Sequence, residues 1–165
     1  MDSSLLVVIP AFNEEAVLGR TLDALLQEVP SNQVLVVSDG STDRTSQIVL
    51  DKRINLLELP FNLGVGAAMR SGFQYAKENG FQKVIQFDAD LQHQPKYIKE
   101  IVSKLNELDV VVGSRFAGNS DYKVSFVRSL TFTCMHSNSF TKTLIAYGIS
   151  RMSGLVSRRP SSRLN

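Results

Sequence analysis

Asp88 and Asp90 are separated by one residue in the segment QFDADLQHQP, directly after an apolar run. Side chains two residues apart on an extended segment point the same way, so both carboxylates can face one ion. Carboxylate oxygens suit Mg²⁺ or Mn²⁺, which commonly complete their shell with water and substrate phosphates. The alternative is a turn in which the aspartates accept hydrogen bonds from local backbone donors. His93 is either a softer ligand or a surface residue.

Five short apolar runs predict the strands that must position these aspartates. They cover residues 5–9, 34–38, 54–59, 83–87 and 109–113, and they are continuous rather than alternating. This pattern is typical of parallel strands that are buried on both faces. Amphipathic segments lie between the runs, with apolar faces at Leu18, Leu22, Leu25, Leu26 and Val29, and at Ile98, Ile101, Val102 and Leu105. The fold class is therefore α/β, with an open, mostly parallel sheet flanked by helices.

The predicted helix ends depend on single residues. Asn13, which precedes two glutamates, and Thr42 are expected to begin the first two helices. Gly80 suits the end of the third helix, and Pro95 suits the first turn of the fourth. A further long helix is predicted over residues 126–147.

The segments that follow the predicted strands are acidic, polar or rich in glycine. Ligands of an open α/β sheet bind beyond the carboxyl ends of its strands, where these segments converge. This gathering of carboxylates predicts a site for a cation, for sugar or ribose hydroxyls, or for both. The acidic residues concerned are Glu14, Asp39, Asp43, Asp88 and Asp90.

Three other phosphate-binding or phosphate-accepting schemes fit poorly. No GxxxxGK[ST] segment is present, which excludes a P-loop. The segment GVGAAMRSG has only part of a GxGxxG pattern and follows the third strand, so a dinucleotide site is disfavoured. Its simpler interpretation is a tight turn into a helix, with Gly64 and Gly66 allowing close backbone approach. A receiver domain would need an aspartate after its third strand and a lysine after its fifth, where this chain has Pro60 and Ser114-Arg115.

Length and composition limit the broad class of protein. With 165 residues the chain has the length of one domain. The last fifteen residues hold four arginines and no acid, so the net charge of +2 comes from this tail. The tail is interpreted as a disordered end, or else as a contact for phosphates or an anionic membrane. The single cysteine, Cys134, fits a reducing compartment. With no signal peptide and no apolar run of ~18 residues, a cytoplasmic protein is expected.

Five ordered motifs carry a family resemblance over residues 5–118: VVIPAFNEE, VVSDGSTDRT, NLGVGAAMRSG, FDADLQHQP and VVGSRF. They resemble the nucleotide-sugar-binding half of family 2 glycosyltransferases with the GT-A fold. The polyprenyl-phosphate (dolichyl-phosphate) mannose and glucose synthases look most similar. The resemblance implies a metal-dependent, inverting transfer from a GDP- or UDP-linked sugar to a lipid phosphate or saccharide. It implies no nucleic-acid partner, and it allows peripheral contact with the cytoplasmic face of a membrane.

The resemblance also implies a role for individual residues. The nucleoside would contact Pro10, Phe12, Glu14, Val37, Asp39, Asp88 and Ala89. A divalent cation, Mg²⁺ or Mn²⁺, would be held by Asp88, Asp90 and Gln92. Arg115 would neutralise the phosphates, and no residue is identified as the catalytic base. Phe12 stands where relatives often have tyrosine, and Ser38 stands where they often have an acid.

The second half of the chain departs from the family pattern. Residues 152–155, Met-Ser-Gly-Leu, resemble an altered form of a Ser-Gly-Phe-Arg segment of the acceptor half. The expected organisation is a nucleotide-sugar-binding half over residues 1–118, a partial and mainly helical acceptor half over 119–150, and a disordered basic tail over 151–165. The chain is accordingly expected to be truncated. Two hypotheses remain open: a glycosyltransferase, and a remnant that binds the nucleotide-sugar without transferring the sugar. Apolar surface left uncovered would favour a homo-oligomer.

Overall fold

The computed structural model describes residues 4–90, 94–105, 108, 110–113 and 144–148. Six strands lie in these ranges: β1 Leu5–Ala11, β2 Val34–Asp39, β3 Asn55–Leu59, β4 Lys83–Gln86, β5 Val110–Gly113 and β6 Leu144–Gly148. The helices are α1 Leu18–Leu26, α2 Thr45–Asp51, α3 Val65–Glu78 and α4 Ile98–Lys104. Two short 3₁₀ helices cover Ser31–Gln33 and Pro95–Tyr97.

The strands form one mostly parallel sheet with the order β3-β2-β1-β4-β6-β5. Strands β3, β2, β1 and β4 pair in parallel. Strand β6 is antiparallel to both β4 and β5, so β5 runs in the same direction as the first four strands. The chain leaves β1 toward β2 on one side and places β4 on the other, which creates a topological switch point between β1 and β4.

Both faces of the sheet are buried, as the continuous apolar runs predict. One hydrophobic cluster joins Val7, Ile9 and Val36 to apolar residues of α1, α2 and α4. The other joins Val8 and Val37 to apolar residues of α3. Alternate residues of β1 and β2 therefore pack against opposite helical layers, which gives the three-layer arrangement of an α/β fold.

Helix α3 crosses β1 at short range because Gly72 has no side chain. A Cβ atom at Gly72 would lie 2.5 Å from Cγ1 of Val8. Val8 is fully buried in the centre of the sheet, so it has little room to move. This contact sets the distance between α3 and the sheet, and with it the position of the amino-terminal end of α3.

The predicted strands and the α/β class are confirmed, whereas part of the predicted last helix is wrong. Residues 144–147 belong to strand β6, although the sequence predicts a helix over 126–147 and a mainly helical segment over 119–150. The remainder of both predicted segments lies outside the described residues. A short apolar run such as LIAYG is ambiguous between helix and strand, and pairing with β4 and β5 decides in favour of the strand.

Two of the predicted helix ends are confirmed and two are wrong. Gly80 follows α3 with φ 78°, and Pro95 opens the 3₁₀ turn that leads into α4. Asn13 and Thr42 do not begin helices, because α1 begins at Leu18 and α2 at Thr45. Instead, the side-chain oxygen of Asn13 accepts a hydrogen bond from the backbone N–H of Thr42 at 2.9 Å. The two residues thus join neighbouring loops.

Candidate functional site

A pocket of about 260 Å³ opens at the carboxyl ends of β1, β2 and β4. It lies at the switch point between β1 and β4, where open α/β sheets bind their ligands. Its wall combines the end of β1, the end of β2, the loop after β4 and the first turns of α3. The lining residues are Pro10, Ala11, Phe12, Glu14, Asp39, Val65, Ala68, Asp88, Ala89 and Asp90.

Most of the residues that the sequence predicts for the site lie on this pocket. Two predicted residues within the described ranges do not line the pocket. Val37 is fully buried in the cluster beneath α3, and Asp43 lies in the loop after β2. Gln92 and Arg115 lie outside the described residues, and so does His93. The predicted residues that line the pocket are Pro10, Phe12, Glu14, Asp39, Asp88, Ala89 and Asp90. Their roles in binding remain predictions.

The loop after β4 is held by contacts on both sides of Asp88. The backbone N–H of Phe87, whose side chain is fully buried, donates to the carbonyl oxygen of Val8 at 2.9 Å. The hydroxyl of Thr21, on α1, donates to the carbonyl oxygen of Ala89. Ala89 is buried in the core, so Asp88 and Asp90 flank an anchored residue. Ala89 and Asp90 form a turn rather than the predicted extended segment, and both aspartates still line the pocket.

The donor atoms at this pocket suit a hard cation. Asp88 and Asp90 supply carboxylate oxygens, which Mg²⁺ and Mn²⁺ prefer over the nitrogen and sulfur ligands typical of zinc. No group of three or more His, Cys, Asp or Glu side chains is placed to hold a metal ion among the residues that the structure describes. Magnesium sites often use one or two carboxylates with substrate phosphates, so the pair fits such an ion together with a diphosphate.

Asp39 fixes the loop that leads into α3. Its two carboxylate oxygens accept hydrogen bonds from the backbone N–H groups of Leu63, at 2.8 Å, and Gly64, at 2.7 Å. Gly64 adopts φ 88° directly before α3, and the Asp39 side chain is buried. Because Val65 and Ala68 of α3 line the pocket, Asp39 shapes the pocket as well as facing it.

The segment after β2 packs closely against the same loop. A Cβ atom at Gly40, which has φ 70°, would lie 2.4 Å from the carbonyl carbon of Phe61 and 2.5 Å from the nitrogen of Asn62. Only glycine fits such an approach at a positive φ. By contrast, a Cβ atom at Gly64 or Gly66 would meet nothing within 4 Å. The tight turn at Gly64 is confirmed, and the close backbone approach occurs at Gly40.

Asp43 does not line the pocket, although the sequence groups it with the other acidic residues. One oxygen accepts the N–H of Thr45 at 2.9 Å and the other accepts the N–H of Glu15 at 3.1 Å. Partial burial acts to raise the pKa of Asp43, but the hydrogen bonds from Thr45 and Glu15 outweigh it and hold the pKa below the ordinary 3.8.

Three lining residues are not predicted by the sequence: Ala11, Val65 and Ala68. Each is small or apolar and carries no chemical signal of its own. The position of α3 relative to the sheet places Val65 and Ala68 on the wall, and only the Gly-rich turn before them could have indicated a helix start near the site.

Comparison with known proteins gives a family match over most of the chain. Residues 6–157 match the model of the family described as glycosyl transferase family 2. An uncharacterized protein of Methanocaldococcus jannaschii is 37% identical over 119 residues, which are 71% of this chain and 49% of that protein. The undecaprenyl-phosphate mannosyltransferase of Micrococcus luteus is 34% identical over 115 residues, which are 67% of this chain and 47% of that protein. The chain spans about half the length of these curated relatives.

Solved structures show the same fold. The glucosyl-3-phosphoglycerate synthase of Mycobacterium tuberculosis in complex with UDP has a TM-score of 0.57 and 24% identity, covering 70% of this chain and 45% of that chain. The same enzyme with Mn²⁺, UDP-glucose and phosphoglyceric acid has a TM-score of 0.55 and 23% identity, covering 64% and 41%. The likeness confirms the GT-A type of α/β fold that the motifs predict.

Proposed function

The chain belongs to glycosyl transferase family 2, and on that premise we propose that it binds a nucleotide-diphospho-sugar and transfers the sugar to an acceptor. One observation carries the proposal. Residues from separate segments of the sequence, which end three different strands, meet on one pocket at the switch point of the sheet. We favour a polyprenyl phosphate as the acceptor, because the similar protein of Micrococcus luteus is an undecaprenyl-phosphate mannosyltransferase.

The nucleoside is assigned to the part of the pocket formed by the ends of β1 and β2. Phe12 is 44% exposed and supplies an aromatic surface on which a base can stack. Glu14 and Asp39 supply carboxylates that can accept hydrogen bonds from ribose hydroxyls or base N–H groups. Both GDP- and UDP-linked donors fit this description. Uridine nucleotides are the first to test, because the solved structure of glucosyl-3-phosphoglycerate synthase with the same fold contains UDP.

The diphosphate is assigned to the loop after β4. Asp88 and Asp90 would hold Mg²⁺ or Mn²⁺ there, with Gln92 as the further proposed ligand. When bound, such an ion neutralises the charge that develops on the departing nucleoside diphosphate. Arg115 is proposed to add a second positive charge at the same phosphates. The acceptor oxygen would attack the sugar carbon from the face opposite the leaving group, which inverts the configuration.

The proposed acceptor places the protein at a membrane surface. None of the helices in the described ranges combines the length and apolar character needed to cross a bilayer. Because the proposed acceptor is linked to a lipid, we propose peripheral contact with the cytoplasmic face of a membrane. The basic residues near the end of the chain supply charges that anionic lipids attract.

A transfer assay tests this function. The full chain is incubated with radiolabelled UDP- and GDP-sugars, Mn²⁺ and undecaprenyl phosphate, and the lipid fraction is examined for labelled product. We expect a labelled glycolipid with one donor and none with Asp90→Ala. A chain that binds the donor but yields no glycolipid would refute transfer and support the binding-only alternative. The matched control is Asp51→Ala, which removes an exposed carboxylate of α2 away from the pocket.

A further inference from the structure

Two loops beside the pocket are joined by side chains that bond reciprocally to backbone groups. Side chains of the loop after β1 accept hydrogen bonds from the backbone of the loop after β2. Oδ1 of Asn13 accepts from the N–H of Thr42 at 2.9 Å, and Oε2 of Glu15 accepts from the N–H of Arg44 at 3.0 Å. We call this network the loop clasp. Its members are Asn13, Glu14, Glu15, Ser41, Thr42, Asp43, Arg44 and Thr45.

Hydrogen bonds also run in the other direction, from backbone N–H groups of the loop after β1 to side chains that follow β2. The N–H of Asn13 donates to Ser41 Oγ at 3.1 Å, and the N–H of Glu14 donates to Thr45 Oγ1 at 2.9 Å. The N–H of Glu15 donates to Asp43 Oδ2 at 3.1 Å. Three consecutive backbone N–H groups of the loop after β1 thus donate to side chains of Ser41, Asp43 and Thr45, the last of which is the first residue of α2. Because the three hydrogen bonds involve consecutive residues, they restrain the backbone conformation of the whole segment from Asn13 to Glu15.

The conformation of Asn13 shows why the loop after β1 needs this support. Asn13 has φ 55°, a left-handed backbone conformation that is uncommon for residues other than glycine. The residue is held on two sides, through its N–H and through its side-chain oxygen. Its neighbours Phe12 and Glu14 both line the pocket. The conformation held at Asn13 therefore sets the directions in which these two side chains project.

We propose that Glu15 and Asp43 are positioning residues that hold Phe12 and Glu14 in place for the nucleotide. Neither residue lines the pocket. Both oxygens of Asp43 accept backbone N–H groups, and one oxygen of Glu15 does so. The acidic residues at this edge of the sheet therefore divide into a set that faces the pocket and a set that supports its wall. This inference rests on the proposed nucleotide pocket.

The chain contains no tryptophan, so Phe12→Trp creates a single tryptophan on the pocket wall, which is excited selectively over the four tyrosines. The partial exposure of Phe12 leaves room for the larger ring. The reporter is placed in the otherwise native chain and combined with Asp43→Ala or with the control Asp51→Ala. Acrylamide quenching and fluorescence anisotropy are measured without nucleotide. Asp43→Ala should raise quenching and lower anisotropy, because the loop after β1 loses a side-chain acceptor, whereas Asp51→Ala should change neither.

The affinity for UDP and GDP in the presence of Mn²⁺ is then measured by calorimetry with Phe12 intact. We expect Asp43→Ala and Glu15→Ala to weaken binding by about fivefold to tenfold, from the loss of hydrogen bonds to a charged acceptor. Glu15→Gln retains an oxygen acceptor for the N–H of Arg44 and should restore most of the affinity. Circular dichroism establishes that each variant is folded.

Two results would overturn the positioning role. Lower affinity with unchanged quenching would make Asp43 a direct ligand, and higher quenching with unchanged affinity would make the loop clasp irrelevant to binding. If the native chain binds neither nucleotide, the proposed function fails. In that case the quenching comparison still decides whether Asp43 holds residue 12.

Discussion

The hydroxyl of Thr21 donates a hydrogen bond to the carbonyl oxygen of Ala89, the residue between Asp88 and Asp90. Thr21 and Ala89 are both buried, so this bond ties the pocket loop to α1 without help from solvent. Thr21→Val keeps the shape and removes the donor, which leaves a buried carbonyl without this partner. We expect a loss of about 1–3 kcal/mol in the free energy of unfolding, measured in urea.

The same substitution should also weaken nucleotide binding in Mn²⁺, because Asp88 and Asp90 lose their anchor. Thr21→Ser retains the hydroxyl and serves as the control for both measurements. A Thr21→Val protein with native stability would show that the Ala89 carbonyl finds another donor.

Asp39→Asn should lower stability and nucleotide affinity together. An asparagine amide group can accept at one atom only, so its –NH₂ would face the N–H of either Leu63 or Gly64. A buried mismatch of this kind costs about 1–3 kcal/mol, measurable by urea unfolding. If affinity fell while stability stayed native, Asp39 would act as a nucleoside ligand alone.

Gly72→Ala should destabilise the protein, because the new methyl group would overlap Val8. Overpacking of a core costs about 1–3 kcal/mol, which thermal or urea unfolding will detect. Gly66→Ala is the matched control on the same helix, since its Cβ would enter open space, and stability should stay within about 1 kcal/mol. Equal effects of the two substitutions would contradict the close packing of α3 on β1.

The lowered pKa of Asp43 predicts a pH-dependent contribution to stability. A carboxyl group whose pKa is lower in the folded state stabilises the protein above its unfolded pKa, and this contribution is lost as pH falls through the folded value. The unfolded value is near 3.8, and the folded value lies below it. We compare urea unfolding of the native chain and Asp43→Asn between pH 6 and pH 3. The stability difference should be constant above about pH 5 and should shrink below about pH 4. A difference that is independent of pH would contradict this assignment.

Local sequence pattern was sufficient to predict strands β1 to β5 and the edge of the sheet at which the site forms. The apolar runs at β1 and β2 are buried on both faces, and that requirement shows directly in their composition. Once parallel strands are predicted, the loops after them must meet, which brings Glu14, Asp39 and Asp88 to one pocket. The side chain of Val37 packs under α3 and does not line the pocket. Its predicted contact with the nucleoside stays a prediction.

The features that sequence did not reveal depend on contacts between distant segments. Asp39 and Asp43 look alike in the segment DGSTD, yet one supports α3 and the other joins the loop after β1. Asn13 has the residue type of a helix start, but the nearby N–H of Thr42 captures its side chain. Strand β6 is determined by its two antiparallel neighbours. In each case the partner lies tens of residues away, beyond the reach of local pattern.

Calorimetric titration of the full chain with UDP and GDP, with and without Mn²⁺, tests the central claim most directly. The claim is that Asp88 and Asp90 hold a cation that binds the diphosphate in this pocket. We predict that one nucleotide binds tightly only with Mn²⁺. Asp90→Asn should weaken that binding by about tenfold or more, since even residues that support metal ligands contribute on that scale, and Asp51→Asn should leave it unchanged. Equal affinity with and without Mn²⁺, together with no effect of Asp90→Asn, would contradict the account.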